Sequence, residues 1–249
     1  MSSVGTLRFA VIAIMVGLLE LACRTGLIGP TVIIPPSAMV ESLWQILAEG
    51  DLTTDILSTF GNVLAAAVLS VVVGFVAGLA IHPLPRLRGA LEPLLASYYA
   101  IPTFMFYPLF IVFFGVGNRA IIAIAFLLAV VSMVTSTLTG LDRIPPILRK
   151  TAKMYRMNRV STALLIELPA TIPHLFTGIK LSVAYAFIGV IASEFILSGA
   201  GIGYSISYAY NNFNNRAMYG LMLLVVVAVT TVNMVLHSID RRFQERSRR

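Results

Sequence analysis

The stretch that decides the fold is ILSTFGNVLAAAVLSVVVGFVAGLAI, residues Ile56–Ile81, which contains no charged side chain. A helix needs about 20 mostly apolar residues to cross the hydrocarbon core of a bilayer, and this stretch is long enough. Five further stretches are also long and mostly apolar: Leu7–Ala22, Leu91–Phe114, Ala120–Leu141, Ile172–Leu197 and Ala217–Ile239. The sequence therefore predicts six membrane spans.

The composition of the chain also indicates a membrane protein. Of its 249 residues, 58% are hydrophobic and 12% are charged, and the mean hydropathy is +0.89. Soluble domains carry about 25% charged residues. The apolar stretches lack the alternation typical of barrel strands, and only helices and closed barrels satisfy backbone polar groups in lipid. We therefore predict an all-α integral membrane fold.

The basic residues predict the orientation, because cytoplasmic loops of membrane proteins are enriched in Lys and Arg. With a cytoplasmic N-terminus, most of the 18 basic residues fall inside: Arg8, Arg86, Arg88, Arg143, Arg149, Lys150, Lys153, Arg156, Arg159, Arg241, Arg242, Arg246, Arg248 and Arg249. The outer side receives Arg24, Arg119 and Arg216, together with the acidic residues Glu41, Glu49, Asp51 and Asp55. The prediction is a multi-pass membrane protein with both termini inside. The net charge of +7 reflects this bias and not nucleic-acid binding.

The first apolar stretch has an alternative interpretation as a signal peptide, because Leu21-Ala22-Cys23 faintly resembles a lipoprotein cleavage site. Glu20 places a carboxylate where such a site needs an apolar residue, which favours a retained first helix. Cys23 is the only cysteine, so no internal disulfide is expected. The three histidines are scattered without metal-ligand spacing, and no metal site is predicted; they are His82, His174 and His237.

Two connections are longer than membrane hairpins need. On the outer side, Ser37–Ala48 predicts an amphipathic helix along the membrane surface, capped by Ser37. Its apolar side carries Met39, Leu43, Ile46 and Leu47. On the inner side, Asp142–Leu168 is a basic segment in which Pro145-Pro146 suits a helix start. We call Asp142–Leu168 the coupling segment and expect residues 1–249 to form a single transmembrane domain.

The coupling segment contains a recognisable motif. From Lys150 to Pro169 the chain reads KTAKMYRMNRVSTALLIELP. This resembles the coupling-loop motif of ABC importer permeases, with Ala152, Ile166, Leu168 and Pro169 at the required spacing. Lys150, Thr151 and Arg156 replace the motif's Glu, first Ala and Gly.

Four proline- and glycine-containing stretches strengthen this resemblance because they occur in order at family-like distances. They are Ile34-Pro35-Pro36-Ser37-Ala38, Tyr99-Ala100-Ile101-Pro102-Thr103 with Pro108, Gly115-Val116-Gly117 and Gly201-Ile202-Gly203-Tyr204. The alternative is that these residues only punctuate helices.

The whole chain looks like the nitrate, sulfonate and taurine permease group, which implies a location in the bacterial cytoplasmic (inner) membrane. The resemblance implies a type I importer in which two permease chains, as a homodimer or with a related permease, assemble with two ABC ATPase subunits. It also implies a periplasmic or lipid-anchored solute-binding protein that delivers a small anion. We predict that this protein docks near Ser37–Ala48 and Gly201–Tyr204. No Gly-Lys-Ser/Thr phosphate-binding loop occurs here, so ATP and Mg²⁺ are expected on the separate ATPase. No catalytic residue or cofactor is predicted for this chain.

Seven residues are predicted to contact the ATPase: Lys150, Ala152, Met154, Tyr155, Arg156, Met157 and Asn158. A protruding helix fits a groove of the ATPase and transmits its closure as a rigid body. The family's glycine turns the chain between two short helices. Because arginine at positive φ costs about 1–2 kcal/mol and asparagine tolerates this region better, we predict that the turn moves to Asn158 and Arg156 stays helical. The alternative partner of the basic side chains is anionic lipid.

Ten residues are candidates for the translocation path or its gates: Tyr98, Tyr99, Thr103, Phe104, Ser132, Thr135, Ser136, Thr139, Lys180 and Glu194. Hydroxyl groups at membrane depth need partners or water, although Ser and Thr also mediate helix packing. Lys180 is expected either to extend to the cytoplasmic surface or to act at the inner gate. Glu194 is expected to make a packing or outer-gate contact, since buried ionisable groups are costly.

Two other functions are compatible with a multi-pass chain. A secondary transporter or channel driven by an ion gradient would commonly show internal repeats and charged groups at the midplane, and neither is evident in the sequence. A membrane scaffold would have no ATPase contact. Co-purification with an ATP-hydrolysing subunit separates these alternatives from the importer.

Overall fold

The computed structural model describes residues 3–29 and 31–247, and within these ranges all regular structure is helical. The helices are α1 (Ser3–Arg24), α2 (Pro36–Glu49), α3 (Thr53–Ile81), α4 (Pro85–Ser97), α5 (Tyr107–Phe114), α6 (Asn118–Asp142), α7 (Pro146–Met154), α8 (Arg159–Thr162), α9 (Leu168–Leu197), α10 (Ile202–Asn211) and α11 (Asn215–Ser247). Two 3₁₀ turns, Tyr98–Ala100 and Thr103–Phe106, separate α4 from α5, and a π turn, Ala163–Glu167, precedes α9. The all-α prediction is confirmed. Arg248 and Arg249 of the predicted cytoplasmic tail lie outside the described residues.

Four helical stretches of the described chain are long and apolar enough to cross a membrane: Thr53–Ile81, Asn118–Asp142, Ala163–Ile196 and Asn215–Arg241. They coincide with four of the predicted spans. The predicted first span, Leu7–Ala22, lies within α1. That α1 crosses the membrane, and that the spans number six, stay predictions.

The predicted span Leu91–Phe114 is not one straight helix. The chain forms two helical pieces, Pro85–Ala100 and Thr103–Phe114, which meet at an angle of 91°. Between them Ile101 is extended, with φ −88° and ψ 116°. The cause is Pro102, which has no N–H to donate and keeps the preceding residue out of the helical region. This segment is therefore a broken span or a re-entrant loop.

The chain divides into two compact units. One comprises Met1–Ser58 and Phe195–Ala228, and the other comprises Thr59–Glu194 and Val229–Arg249. We call them the first and the second unit. The boundaries between them fall within α3, α9 and α11.

The second unit is built around α6. Buried side chains of α6 pack with buried residues of α3 and α9; the cluster includes Val63, Ala66, Ala67, Ile121, Ile124, Ala125, Ala129, Ala186, Phe187 and Val190. Glycines allow close approach of the backbones. A Cβ atom on Gly74 would lie 2.8 Å from the carbonyl oxygen of Val130, and one on Gly189 would lie 2.6 Å from the Cα of Ala125. Such small-residue contacts are typical of helix packing in membranes.

In the first unit, Glu20 of α1 holds the start of α2. Its carboxylate accepts hydrogen bonds from the backbone N–H of Ser37 (3.0 Å), the hydroxyl of Ser37 (2.7 Å) and the Nε of Arg24 (2.6 Å). The prediction that Ser37 caps this helix is wrong, because α2 begins at Pro36 with Pro35 as its N-cap. Proline suits the first helical position, and Glu20 satisfies an N–H that the helix leaves free.

The side of α2 that carries Ser42 packs on α11. Ser42 is buried and donates a hydrogen bond of 2.7 Å to the carbonyl oxygen of Arg216. Met39, Leu43 and Ile46 are half-buried, as expected for one apolar side. Leu47, predicted on that side, is exposed. The location of α2 at the membrane surface stays a prediction.

Candidate coupling and translocation sites

Helix α7 ends in a turn centred on Arg156. This residue has a φ of 50°, in the left-handed region. The N–H of Met157 donates to the carbonyl oxygen of Ala152 (3.0 Å), and the N–H of Arg156 donates to that of Lys153 (3.1 Å). These two bonds define a Schellman C-cap. The prediction that Arg156 stays helical is therefore wrong, and the turn keeps the position of the family's glycine.

Asn158, to which the turn was predicted to move, has a different role. Its Oδ1 accepts a hydrogen bond from the N–H of Ser161 (2.7 Å), and its carbonyl oxygen accepts one from the hydroxyl of Thr162 (2.9 Å). Asn158 is thus the N-cap of α8. The Schellman bonds fix the left-handed residue by its position at the end of α7, whatever its side chain. The prediction considered only the preferences of the two residue types.

The coupling segment presents a mixed apolar and basic surface. The exposed members of the predicted set are Lys150, Met154, Tyr155, Arg156 and Asn158. Met154 and Tyr155 are 83% and 78% exposed, although large apolar side chains usually pack. Ala152 is buried and Met157 is half-buried, so these two side chains pack within the protein and are less available for contact with an ATPase. We call the five exposed residues the coupling surface.

An ion pair holds α7 in place. The Nε of Arg149 lies 3.1 Å from Oε1 of Glu167, in the π turn before α9. The Nη2 of Arg149 also donates to the carbonyl oxygen of Leu141, near the end of α6, at 3.2 Å. One guanidinium therefore joins α7 to the end of α6 and to the π turn before α9.

A second ion pair fixes the end of α6. Asp142 accepts two hydrogen bonds from Arg88 of α4, at 2.7 and 2.6 Å, and the Nε2 of His82 lies 3.4 Å away. The bidentate arrangement is directional as well as attractive. Sequence reasoning counted Arg88 and Arg149 only as cytoplasmic cations. Their partners lie 54 and 18 residues away in the chain, and no local signal identifies them.

A cavity of about 430 Å³ lies at the break between α4 and α5, bordered by α6 and α9. Its lining includes Tyr99, Thr103, Phe104, Tyr185 and Gly189. Among the described residues, none that lines this cavity is charged. The rings of Tyr99 and Tyr185 stack with centroids 5.0 Å apart. Three predicted path residues thus meet in one cavity. Tyr185 was missed, although an aromatic residue inside a predicted span is a recognisable signal.

Three predicted hydroxyl residues of α6 are hydrogen-bonded within the protein. The hydroxyl of Ser132 lies 2.9 Å from that of Ser182 in α9. The hydroxyls of Thr135 and Thr139 donate to carbonyl oxygens one turn earlier in α6, at 2.9 and 2.8 Å. The Ser132 contact favours the packing interpretation over direct solute contact. The bonds of Thr135 and Thr139 satisfy their hydroxyls within α6 and do not decide between the two interpretations, and Thr139 is exposed.

Two more path candidates also face protein. The Cβ of Ser136 would lie 2.8 Å from a Cβ atom on Gly178, so α6 and α9 approach closely there. The hydroxyl of Tyr98 donates to the carbonyl oxygen of Leu127 at 3.0 Å. The aromatic run that begins at Tyr98 is therefore attached to α6 on one side and lines the cavity on the other.

The two ionisable candidates contact neighbouring helices. Lys180 of α9 lies 2.5 Å from the carboxylate of Asp240 in α11, which is almost fully buried. Glu194 is buried, accepts a hydrogen bond from the hydroxyl of Thr59 (2.8 Å) and lies 3.4 Å from Nδ2 of Asn62. Sequence reasoning identified both groups but not their partners. Among the described residues, no cluster of three or more His, Cys, Asp or Glu could hold a metal ion.

Comparison with known proteins gives the family. Residues 70–249 match the family described as binding-protein-dependent transport system inner membrane component. The chain belongs to this family. This permease is similar to the nitrate import permease NrtB of Leptolyngbya laminosa, with 23% identity over 235 residues, which cover 91% of this chain and 81% of the relative. It is also similar to the taurine transport system permease TauC of Escherichia coli (strain K12), with 21% identity and coverages of 95% and 88%.

A third similar permease is the bicarbonate transport system protein CmpB of Synechococcus elongatus, with 28% identity over 69% of this chain and 59% of the relative. The fold resembles that of the MetNI methionine ABC transporter, solved in inward-facing conformations. The TM-score is 0.68 at 17% identity, covering 77% of this chain and 95% of that chain. The resemblance drawn from the motif is confirmed: the protein is a multi-pass inner-membrane permease component of an ABC transporter.

Proposed function

We propose that this permease forms, together with a second permease chain, the pathway of an importer for a small anionic solute. The solutes named for its relatives are nitrate, taurine and bicarbonate. They share small size and a negatively charged group, which defines the substrate class. A solute-binding protein delivers the anion, in agreement with the family description.

The observation that carries the proposal is the coupling surface. Met154 and Tyr155 protrude at the end of α7 with no covering side chains from the described chain, while Arg149 joins α7 to α6 and to the π turn before α9. An exposed apolar tip on a firmly held helix suits docking in a groove of an ATPase and transfer of its movement. In this proposal ATP and Mg²⁺ bind to two such ATPase subunits.

We further propose six spans with both termini in the cytoplasm. Side chains along α1 are exposed and apolar, including Val11, Ile12, Met15 and Leu18. A long helix with this surface is compatible with lipid contact. The basic coupling segment then lies in the cytoplasm, as the distribution of Lys and Arg favours.

The pathway is proposed to run between two permease chains, past the cavity at Tyr99, Thr103, Phe104 and Tyr185. This cavity borders the break between α4 and α5. Irregular backbone at membrane depth is tolerated where it lines a water-filled cavity or is buried in protein. Native mass spectrometry of the assembled transporter should show two permease chains, and a single permease chain would reject this arrangement.

Association with the ATPase tests the proposed function. The purified permease should retain an ATP-hydrolysing subunit. The double variant Met154→Asp/Tyr155→Asp should no longer retain this subunit. The thermal unfolding midpoint of the permease should stay unchanged, because both side chains are exposed. Leu87→Asn, at another exposed apolar side chain on the predicted inner side, is the matched control and should keep the ATPase. Uptake that follows an ion gradient and needs no ATPase would reject the proposal.

The solute is found through the binding protein. A melting-temperature screen against nitrate, taurine, bicarbonate and further sulfonates should identify one stabilising anion. Ligand at a hundred times its Kd stabilises by about 2.7 kcal/mol, which a thermal scan detects easily. If only cations or neutral solutes stabilise the cognate binding protein, the substrate class is wrong, although the importer assignment would stand.

A further inference from the structure

The corner between α10 and α11 holds an aromatic residue in an unfavourable conformation. Phe213 has a φ of 56°, in the left-handed region. The N–H of Phe213 donates to the carbonyl oxygen of Tyr210 (3.1 Å), and that of Asn214 donates to the carbonyl oxygen of Ala209 (2.9 Å). This is a Schellman cap in which phenylalanine occupies the position that glycine or asparagine usually takes.

Intramolecular packing does not account for this choice of residue. The side chain of Phe213 is 91% exposed, so the ring gains almost no contact in return for the strained backbone. Asparagine adopts the left-handed region more readily, and residues 211, 212, 214 and 215 are all asparagine. Residues held in sparsely populated backbone conformations are concentrated at functional sites.

The segment around Phe213 has the composition of a protein-recognition surface. Residues 204–215 read YSISYAYNNFNN and contain no charged side chain. Tyr208 and Tyr210 are exposed beside Phe213. Tyr, Ser and Asn predominate in antibody binding loops, where rigid aromatic rings supply contact area and amides supply adaptable hydrogen bonds. The cores of protein interfaces are likewise depleted of charge and rich in aromatic residues.

A cavity of about 570 Å³ adjoins this segment within the first unit. Its lining includes Asp55, Tyr204, Tyr208, Asn212 and Asn214. The carboxylate of Asp55 is oriented by the N–H of Gly201 and the hydroxyl of Ser205, each at 2.9 Å. A protruding ring therefore lies beside a recess with one fixed carboxylate, two phenols and two amides. We call Asp55 and residues 204–215 the docking corner.

We propose that the docking corner is where the solute-binding protein is recognised, with Phe213 as the anchor that enters an apolar recess of that protein. The cavity at Asp55 receives a basic or amide side chain of the same partner. This inference rests on the proposed function, since it requires a binding-protein-dependent importer. A lipid surface is a poorer match, because residues 204–215 offer no lysine or arginine to phosphate headgroups.

The first test measures ATP hydrolysis of the assembled transporter in nanodiscs against increasing concentrations of binding protein. The binding protein is loaded with the anion that raises its melting temperature most. Phe213→Asn removes the ring and suits the left-handed backbone. We expect the half-maximal concentration to rise about tenfold or more, as for an interface hot spot. Basal hydrolysis should be unchanged, and the unfolding midpoint should be unchanged or higher.

Two variants control this result. Phe213→Trp keeps an aromatic anchor and should stay within about threefold of wild type. Leu27→Asn changes a similarly exposed apolar side chain of the first unit outside the docking corner and should have no effect. If the binding protein stimulates ATP hydrolysis of the Phe213→Asn transporter as strongly as that of wild type, the inference is wrong. It is also wrong if the variant is less stable and this loss of stability explains its weaker stimulation. If the wild-type transporter itself is not stimulated, the proposed function fails first.

The second test does not depend on a stable loss-of-contact variant. A photoreactive phenylalanine analogue at position 213 preserves the ring and reports what lies against it. The inference expects a cross-link to the solute-binding protein that increases when this protein is loaded with its anion. Cross-linking only to lipid, or only to the second permease chain, would show that another partner covers Phe213.

Discussion

Replacing Arg156 with glycine should strengthen the end of α7. At a φ of 50° the arginine backbone costs about 1–2 kcal/mol, whereas glycine adopts this region freely and loses about 0.5–1 kcal/mol through backbone entropy. The arginine side chain is exposed, so little packing is lost. The difference is a net gain of about 0.5–1 kcal/mol, which corresponds to a roughly two- to fivefold change in an opening equilibrium.

Amide hydrogen exchange measures this change at the bond that closes the turn. The N–H of Met157 is bonded to Ala152, so peptides containing Met157 should exchange roughly two to five times more slowly in Arg156→Gly. Arg156→Val should exchange faster than wild type, because a β-branched residue is least tolerant of positive φ. Lys153→Gly is the matched control, since glycine inside the exposed part of α7 costs about 1 kcal/mol and should accelerate exchange.

The sign of these changes is decisive. Glycine should have opposite effects at positions 156 and 153, because only position 156 is left-handed. If both glycine variants accelerate exchange, Arg156 lies in the helical region and the Schellman cap does not form. Equal exchange in Arg156→Val and wild type would refute the assignment independently.

Further changes test the contacts of the two units. Gly189→Ala should lower the unfolding midpoint by several degrees, because its Cβ would lie 2.6 Å from a backbone atom and overpacking costs about 1–3 kcal/mol. Gly61→Ala, where a Cβ meets no atom within 4 Å, should not lower it, and equal losses would contradict the packing of α6. Asp240→Asn should destabilise by roughly 3 kcal/mol, since it leaves Lys180 unpaired, and Asp240→Asn/Lys180→Met should recover most of this loss. Thermal unfolding in detergent measures these variants, and no recovery in the double variant would argue against the pair.

Hydropathy was sufficient to locate the long helices, because the cost of exposing backbone polar groups to lipid leaves few alternatives. It failed at Leu91–Phe114, where the mean apolar character continues through Pro102 while the backbone does not. The proline was visible in the sequence as part of a motif. In the structure this proline is accompanied by an extended residue at position 101 and a bend of 91°. Predicting that break would have required the effect of proline inside a helix to be weighed against the hydropathy.

The turn in the coupling segment shows a different limit. Residue preference assigned the left-handed position to Asn158, but two backbone hydrogen bonds at the end of α7 place it at Arg156. The family pattern gave the correct position, since its glycine marks that turn. Local preferences amount to about 1–2 kcal/mol, and the bonds and packing of a helix end easily exceed this.

Side-chain partners were the least predictable feature. The ionisable residue Lys180 was recognised from its cost in a membrane, yet Asp240 lies 60 residues further along the chain. The same holds for the pairing of Tyr99 with Tyr185 in the cavity. These contacts depend on how helices align in space, which a single sequence does not encode in any local pattern.

The absence of charged side chains from the described lining at Tyr99 and Tyr185 has a consequence for turnover. In the proposed importer, an anion that passes this uncharged cavity would exchange little of its hydration for a fixed counter-charge, so it would be neither strongly bound nor strongly repelled there. Conduction requires sites that release a solute as readily as they admit it. If the proposed pathway runs past this cavity, its uncharged aromatic and apolar wall would favour throughput over affinity and would leave discrimination among anions to the proposed solute-binding protein.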